Sequence, residues 1–137
     1  MNVFAKLKEL NILLVDDDDL IRDAMCLFFE SEGCRLMALE TAEEAIDMIK
    51  DHSFDIIIAD FKLPGIDGIE LFRRILISHR CPVMILITAY MSEHIVKAAK
   101  KLGIHDLIEK PFRPETIEES LSKLLYQITS KEVYHAS

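Results

Sequence analysis

The chain has 137 residues, of which 50% are hydrophobic and 29% charged, and its formal net charge is -8 at pH 7. This length suits one domain with a full hydrophobic core and leaves no room for a second catalytic domain. The acidic balance argues against direct binding to nucleic acid, because such binders neutralise phosphates with clustered Lys and Arg. Since no run approaches about 18 apolar residues, we expect neither a signal peptide nor a membrane anchor, and a cytoplasmic location.

Five short apolar segments alternate with segments of helical periodicity, a pattern typical of a parallel sheet with crossover helices. The predicted strands are residues 11–15, 35–39, 55–59, 83–87 and 106–108. Between and after them, apolar residues recur at helical spacing, beginning with Leu20, Ala24, Leu27 and Phe28. The predicted fold class is therefore α/β, a doubly wound five-stranded parallel sheet built as (βα)5. We expect an unpacked leader at residues 1–9, the domain at 10–128 and an unpacked tail at 129–137.

Capping signals support the predicted helices. Thr41 and Glu44 form the pattern of a capping box, Ser92 can cap the helix before the last strand, and Pro114 suits the first turn of the final helix. These signals place the loops that follow the strands.

The stretch LLVDDDD, residues 13–19, puts four carboxylates directly behind the first predicted strand. Asp18 and Asp19 stand at the start of the following helix, where a carboxylate accepts free N–H groups and meets the positive end of the helix dipole. Asp16 and Asp17 come too early to cap that helix efficiently. This pair therefore needs a different role.

Polar residues also follow the other strands, with Asp60 after the third, Thr88 after the fourth and Lys110 after the fifth. The carboxyl ends of parallel strands form the functional crevice of such sheets, so these side chains should converge on the acidic pair. Neighbouring carboxylates repel one another unless a proton or a cation intervenes, and Mg²⁺ suits oxygen ligands. Lys110 and Thr88 could then bind the oxygens of a phosphoryl group.

The chain resembles the receiver domain of bacterial response regulators over about residues 10–126. The resemblance rests on the segments ILLVDDDDLIR, DIIIADFKLPGIDGIEL, VMILITAY and DLIEKPF. It implies a flavodoxin-like receiver fold with Asp60 as the phosphoacceptor. It also implies that Asp16 and Asp17 form the acidic pair at Mg²⁺, that Asp17 is a direct ligand, and that the Lys62 backbone carbonyl is a further ligand.

The same resemblance implies that Thr88 is the switch hydroxyl and that Lys110 binds the phosphoryl product, with a cis bond to Pro111. Gly65 and Gly68 are expected to supply positive φ angles in the loop after Asp60. Receivers usually carry Tyr or Phe where Leu107 stands, so this chain lacks at that position the aromatic side chain that acts as a switch in many members. Tyr90, two residues after Thr88, is the nearest aromatic residue that could respond instead.

The implied function is that of a phosphorelay acceptor and not of an enzyme acting on a separate metabolite. A histidine kinase or phosphotransfer protein would supply the phosphoryl group, and phosphorylation would switch a protein-interaction surface. The expected output partner is a downstream protein or an effector domain of the same protein, with a phosphorylation-dependent homodimer as a further form. Neither nucleic acid nor a membrane is expected as a direct partner.

Two alternatives stand beside this interpretation. In a haloacid-dehalogenase-type phosphatase, which LLVDDDD also resembles, Asp16 would be the nucleophile and Asp18 the acid/base, but that family needs acids after its lysine and no Asp follows Lys110. In a pseudo-receiver, the fold would serve as a protein-binding module without phosphorylation. Acceptance of a small phosphodonor and affinity for Mg²⁺ separate these alternatives from a functional receiver.

Overall fold

The structure, a computed structural model, describes residues 3–78 and 80–136, with side chains described as far as residue 127. Its sheet has five parallel strands in the order β2-β1-β3-β4-β5. The strands are β1 (Asn11–Val15), β2 (Arg35–Leu39), β3 (Ile56–Asp60), β4 (Val83–Thr88) and β5 (Asp106–Glu109). The predicted α/β class with a doubly wound parallel sheet is confirmed.

Within the described residues, six helices connect or flank these strands. They are α1 (Val3–Leu7), α2 (Asp19–Ser31), α3 (Ala42–Asp51), α4 (Gly68–Ile77), α5 (Glu93–Leu102) and α6 (Pro114–Ala136). Thr41 and Glu44 form the predicted capping box, and Ser92 accepts from the backbone N–H of Ile95. Asp18 caps α2, whereas Asp19 lies inside the first turn of that helix.

The hydrophobic core lies on both faces of the sheet. One side packs α1, α2 and α6 against alternate residues of the strands, and the other packs α3, α4 and α5. Every residue of β3 and β4 is buried. Both strands run one residue further than predicted, so that Asp60 pairs with Ile87 and Thr88 with Glu109 in the ladder. The backbones of Asp60 and Thr88 are therefore fixed by the sheet itself.

Helix α2 does not bury the whole apolar set at helical spacing. Leu20 and Leu27 are 79% and 74% exposed, whereas Met25 and Phe29 are fully buried. Ile21 and Phe28 pack beside the buried pair. The orientation of the helix therefore follows packing against the sheet and leaves two leucines in solvent.

The prediction that residues 1–9 are unpacked is wrong for residues 3–7. Val3 and Leu7 are buried in the core, and the Phe4 ring meets those of Phe28 and Phe29 edge-on at 5.8 and 6.4 Å between centroids. Apolar burial of this kind stabilises even a five-residue helix that could not persist alone.

The C-terminal helix also extends beyond the predicted domain end at residue 128, because its backbone is helical to Ala136. The side chains of the predicted tail 129–137 lie outside the described ones, so its packing and the domain bounds stay predictions. Among the described residues, none of the helices combines the length and apolar character that crossing a bilayer requires.

We predict that Leu7→Ala lowers the free energy of unfolding by about 2–5 kcal/mol, the usual cost of truncating a fully buried leucine. Urea denaturation measures this, with Lys6→Ala as the control. Lys6 is exposed on the same helix, so its substitution should change stability by no more than about 0.5 kcal/mol. Equal effects of the two substitutions would mean that α1 does not belong to the core.

Candidate functional site

Three carboxylates meet at the carboxyl ends of neighbouring strands. Asp16 and Asp17 directly follow β1, and Asp60 is the last residue of β3, which pairs with β1. One oxygen from each of the three lies within 4.8 Å of the others. Asp16 is fully buried and Asp60 is 4% exposed, whereas Asp17 is open to solvent. The structure thus brings together the three acids that the sequence singled out.

Lys110 joins this acidic cluster from the end of β5. Its Nζ donates a hydrogen bond of 3.0 Å to Asp60 Oδ2 and lies 3.3 Å from Asp16 Oδ2. Its backbone N–H donates to the carbonyl of Thr88 at 2.7 Å, which continues the ladder between β4 and β5. The bond from Lys110 to Pro111 is cis, as expected.

The pKa values in the cluster depend on burial and on the charges of neighbouring members. Burial raises the pKa of both Asp16 and Asp60, and the Lys110 ammonium offsets part of that rise. Burial alone would lower the pKa of Lys110, but its hydrogen bond to Asp60 and the charges of Asp16 and Asp60 outweigh burial and raise it. Lys110 therefore stays cationic at neutral pH, while the carboxylates ionise against an unfavourable environment.

One carboxylate oxygen in this cluster accepts no hydrogen bond from the described residues. Asp16 Oδ1 accepts from the backbone N–H of Asp18 at 2.9 Å, but Asp16 Oδ2 is buried without a hydrogen-bond partner among the described residues. Lys110 Nζ is in ion-pair contact with this oxygen but outside hydrogen-bond geometry. An orphaned carboxylate oxygen beside two further carboxylates fits a hard divalent cation.

The acidic cluster opens into a surface cleft of ≈ 590 Å³. Its lining consists of Asp17, Asp18, Asp60, Lys62, Leu63, Pro64, Ala89 and Lys110. A larger groove of ≈ 800 Å³ lies between α4 and α5, but it contains none of the predicted site residues. We place the chemistry in the smaller cleft, because perturbed carboxyl groups and a lysine converge there.

Thr88 occupies the predicted strand end, but its hydroxyl is engaged elsewhere. Thr88 Oγ1 accepts from the backbone N–H of Tyr90 at 3.2 Å and donates to the Tyr90 carbonyl at 3.0 Å. The Tyr90 side chain is 75% exposed, and Leu107 is half-buried beside β4. Thr88 is therefore close to the site in the fold, with its hydroxyl held by the loop that follows it.

The loop after Asp60 uses its two glycines for different reasons. Gly65 has the predicted positive φ, 79°, and Glu43 Oε1 lies only 2.5 Å from where a Cβ would be. The expectation of a positive φ at Gly68 is wrong. Gly68 is required because a Cβ there would stand 2.4 Å from the Asp60 carbonyl oxygen, which is backbone and cannot give way.

Two supporting residues were not found from the sequence. Arg22 Nη1 donates to the Asp16 carbonyl at 2.7 Å, and Arg22 Nη2 contacts Glu40 Oε1 at 3.2 Å. Glu43 Oε1 accepts from the backbone N–H of Ile66 at 3.4 Å. Arg22 thus joins the loop after β1 to Glu40 in the β2–α3 connection, and Glu43 joins the loop after β3 to the first turn of α3. An arginine or a glutamate in a helix is usually an exposed surface residue, so no sequence pattern predicted either contact.

The arrangement matches a known family. A family model for the response regulator receiver domain matches residues 12–122. The chain belongs to this family. This assignment gives the haloacid-dehalogenase alternative no support, and it identifies the protein as a signalling receiver domain of the response-regulator type.

Similar proteins extend the comparison. The sporulation initiation phosphotransferase F of Bacillus subtilis is 31% identical over 83% of this receiver and 92% of its own length. A cyclic di-GMP phosphodiesterase of Thermotoga maritima is 30% identical over 85% of the receiver, which spans 31% of that protein. A CheY-like receiver domain protein from Methanospirillum hungatei superposes with a TM-score of 0.78 at 28% identity, covering 88% of this chain and 97% of the other.

The raised pKa of Asp16 has a consequence for stability. A raised pKa means that the folded protein binds the proton more tightly than the unfolded chain does. Proton binding to Asp16 therefore stabilises the fold at low pH, and this stabilisation is lost as pH rises through the pKa of the folded state. At pH 7 the ionised Asp16 carboxylate therefore destabilises the folded state. Asn at this position keeps an oxygen that can accept from the Asp18 N–H.

We predict that Asp16→Asn raises the free energy of unfolding at pH 7 in EDTA by on the order of 1 kcal/mol, with the difference shrinking as pH falls toward about 4. Chemical denaturation over this pH range measures it. Asp47→Asn is the control, since Asp47 is exposed on α3 and pairs with Lys50 at 3.2 Å. A variant less stable than the wild type at pH 7 would show that attraction to Lys110 outweighs the cost of the buried charge.

Proposed function

We propose that Asp60 of this receiver accepts a phosphoryl group from a phosphohistidine of a histidine kinase or phosphotransfer protein. The observation that carries the proposal is the position of the Asp60 carboxylate, which lines the cleft and receives a 3.0 Å hydrogen bond from Lys110. Asp60 thus both lines the cleft and is hydrogen-bonded to Lys110. Asp16 is fully buried, and Asp17 is exposed at the rim, so neither matches Asp60 as the acceptor.

In the proposed transfer, a carboxylate oxygen of Asp60 attacks phosphorus while the bond from phosphorus to the imidazole nitrogen breaks, and its electron pair stays on that nitrogen. Lys110 stays charged and can bind a phosphoryl oxygen, which offsets developing negative charge. The Thr88 hydroxyl can donate to a second oxygen once it leaves the carbonyl of Tyr90. Later attack of water on phosphorus breaks the bond from phosphorus to the Asp60 oxygen, which releases inorganic phosphate and restores the carboxylate.

The proposed cofactor is Mg²⁺, held by the carboxylates of Asp16, Asp17 and Asp60 and by the backbone carbonyl of Lys62. When bound, Mg²⁺ supplies positive charge against the phosphoryl oxygens. The fit rests on the orphaned Asp16 Oδ2 and on three acids whose oxygens lie within 4.8 Å. Mg²⁺ commonly binds through one or two carboxylates and keeps several waters, so we propose that Asp17 is a direct ligand and that Asp16 acts mainly through water.

The proposed partners follow from the accessible cleft and the family. Asp17 and Lys62 are exposed at its opening, where a phosphohistidine can approach. The output partner is a downstream protein or an effector domain of the same protein, with a phosphorylation-dependent homodimer as a further form. The phosphodiesterase activity named for the Thermotoga relative belongs to that longer protein, of which this chain spans 31%. A cytoplasmic location and the absence of direct nucleic-acid binding remain part of the proposal.

We predict that a small phosphodonor such as acetyl phosphate, with Mg²⁺, adds one phosphoryl group to the wild type and none to Asp60→Asn. Intact-mass measurement detects the product, which should be lost in both acid and base, as an acyl phosphate is. Asp47→Asn should be labelled like the wild type, because Asp47 lies on the surface of α3. Labelling of Asp60→Asn to the same extent as the wild type would remove Asp60 as the acceptor, and an unlabelled wild type would favour the pseudo-receiver.

We also predict that Asp17→Asn weakens Mg²⁺ binding by about tenfold or more and that Asp16→Asn weakens it less. The reason is that a direct ligand loses a metal bond, whereas a residue acting through water loses one contact to the hydration shell. Calorimetric titration of both variants with Mg²⁺ measures the two losses. The reverse order would mean that Asp16, and not Asp17, binds the ion directly.

A further inference from the structure

The loop between β4 and α5, residues 89–92, is held by contacts from two neighbouring strand ends. Thr88 and Glu109 are paired in the ladder between β4 and β5. The Thr88 hydroxyl binds both the N–H and the carbonyl of Tyr90, and Glu109 Oε2 accepts from the backbone N–H of Met91 at 3.0 Å. Two paired strand residues thus contact two consecutive residues of one loop.

The position of Glu109 also connects this loop to the acidic cluster. Glu109 directly precedes Lys110, whose Nζ binds Asp60. Successive side chains near the end of a strand point to opposite sides, so the carboxylate of Glu109 contacts the loop while the ammonium of Lys110 contacts the cluster. The two contacts therefore share one short piece of backbone.

The Thr88 hydroxyl cannot donate to the Tyr90 carbonyl and to a phosphoryl oxygen at the same time. A hydroxyl has one hydrogen to donate, and Thr88 donates it to the Tyr90 carbonyl. A hydrogen bond from Thr88 to a phosphoryl oxygen on Asp60 must therefore break the bond to Tyr90. Because Met91 follows Tyr90 directly, movement of the loop with Thr88 would stretch the Met91–Glu109 hydrogen bond.

We propose that Glu109 is a positioning residue that holds the 89–92 loop in the conformation in which Thr88 is bonded to Tyr90, and that it thereby opposes the phosphorylated conformation. This inference rests on the proposed function of Asp60. At the other end of the loop, Ser92 caps α5 by accepting from the Ile95 N–H at 3.1 Å. The movement opposed by Glu109 is therefore confined to the few residues between Thr88 and Ser92.

The thermodynamic consequence follows from linkage between the two conformations. A contact that exists only in the unphosphorylated conformation lowers the affinity for any ligand that requires the other conformation. Removing Glu109 should therefore increase the affinity for a phosphoryl analogue. Since the hydrogen bond is solvent-exposed, a modest effect of about threefold is expected.

The test uses the full chain and beryllofluoride with Mg²⁺ as the phosphoryl probe. Glu109→Ala should bind beryllofluoride about threefold more tightly than the wild type. In the protein without Mg²⁺ or probe, its Met91 amide should exchange with solvent faster. Glu109→Gln keeps an oxygen that can accept from Met91, so it should remain within about twofold of the wild type in both measurements.

Glu93→Ala is the matched control. Glu93 is an exposed glutamate just beyond the same loop, but its carboxylate pairs with Lys97 on its own helix at 3.1 Å. This variant should leave both the probe affinity and the Met91 amide unchanged. A change equal to that of Glu109→Ala would show that general charge near the loop, and not the hydrogen bond to Met91, is responsible.

Each remaining outcome decides a different point. Unchanged or weaker probe binding by Glu109→Ala, with normal binding by the wild type, overturns the role of Glu109 and leaves the proposed function of Asp60 intact. Glu109→Gln behaving like Glu109→Ala overturns the hydrogen-bond explanation. Failure of the wild type to bind beryllofluoride with Mg²⁺ overturns the proposed function itself, and the role of Glu109 with it.

Discussion

Three like charges at one edge of the sheet are the constraint on which this receiver depends. Asp16 and Asp60 are nearly or completely buried, and Asp17 lies close enough for all three to share a cation. Lys110 offsets part of their repulsion through its contacts of 3.0 and 3.3 Å. Burial still raises the pKa of Asp16 and of Asp60, so their ionised carboxylates are electrostatically unfavourable and are suited to a neighbouring positive charge.

The rest of the fold holds this unfavourable cluster in place. The ladder carries Asp60 and Thr88 to the ends of fully buried strands, and the close approach at Gly68 fixes the start of α4 against the Asp60 carbonyl. Arg22 on α2 donates a hydrogen bond to the Asp16 carbonyl. The ends of buried strands thus position the three acids, and the loops that follow them belong to the class of segment that generally carries function on a rigid scaffold.

The sequence predicted those features that depend on local pattern. Buried strands are continuous apolar runs, so the sheet and the residues at its carboxyl edge could be located, and the capping residues Thr41 and Ser92 were identified from their own neighbours. It did not predict features decided by tertiary packing. The rotation of α2 that exposes Leu20 and the packing of α1 depend on the assembled core, and the Glu109–Met91 hydrogen bond joins residues 18 positions apart without a recurring pattern.

Lys110 stabilises the fold by offsetting the charge of buried carboxylates, and a double-mutant cycle measures this coupling. Unfolding free energies in EDTA would be measured for the wild type, Lys110→Met, Asp60→Asn and the double variant. We expect Lys110→Met to cost at least about 1 kcal/mol more when Asp60 is present than when Asn replaces it. Equal costs of Lys110→Met in both backgrounds would show that Lys110 does not stabilise the fold through the charge of Asp60.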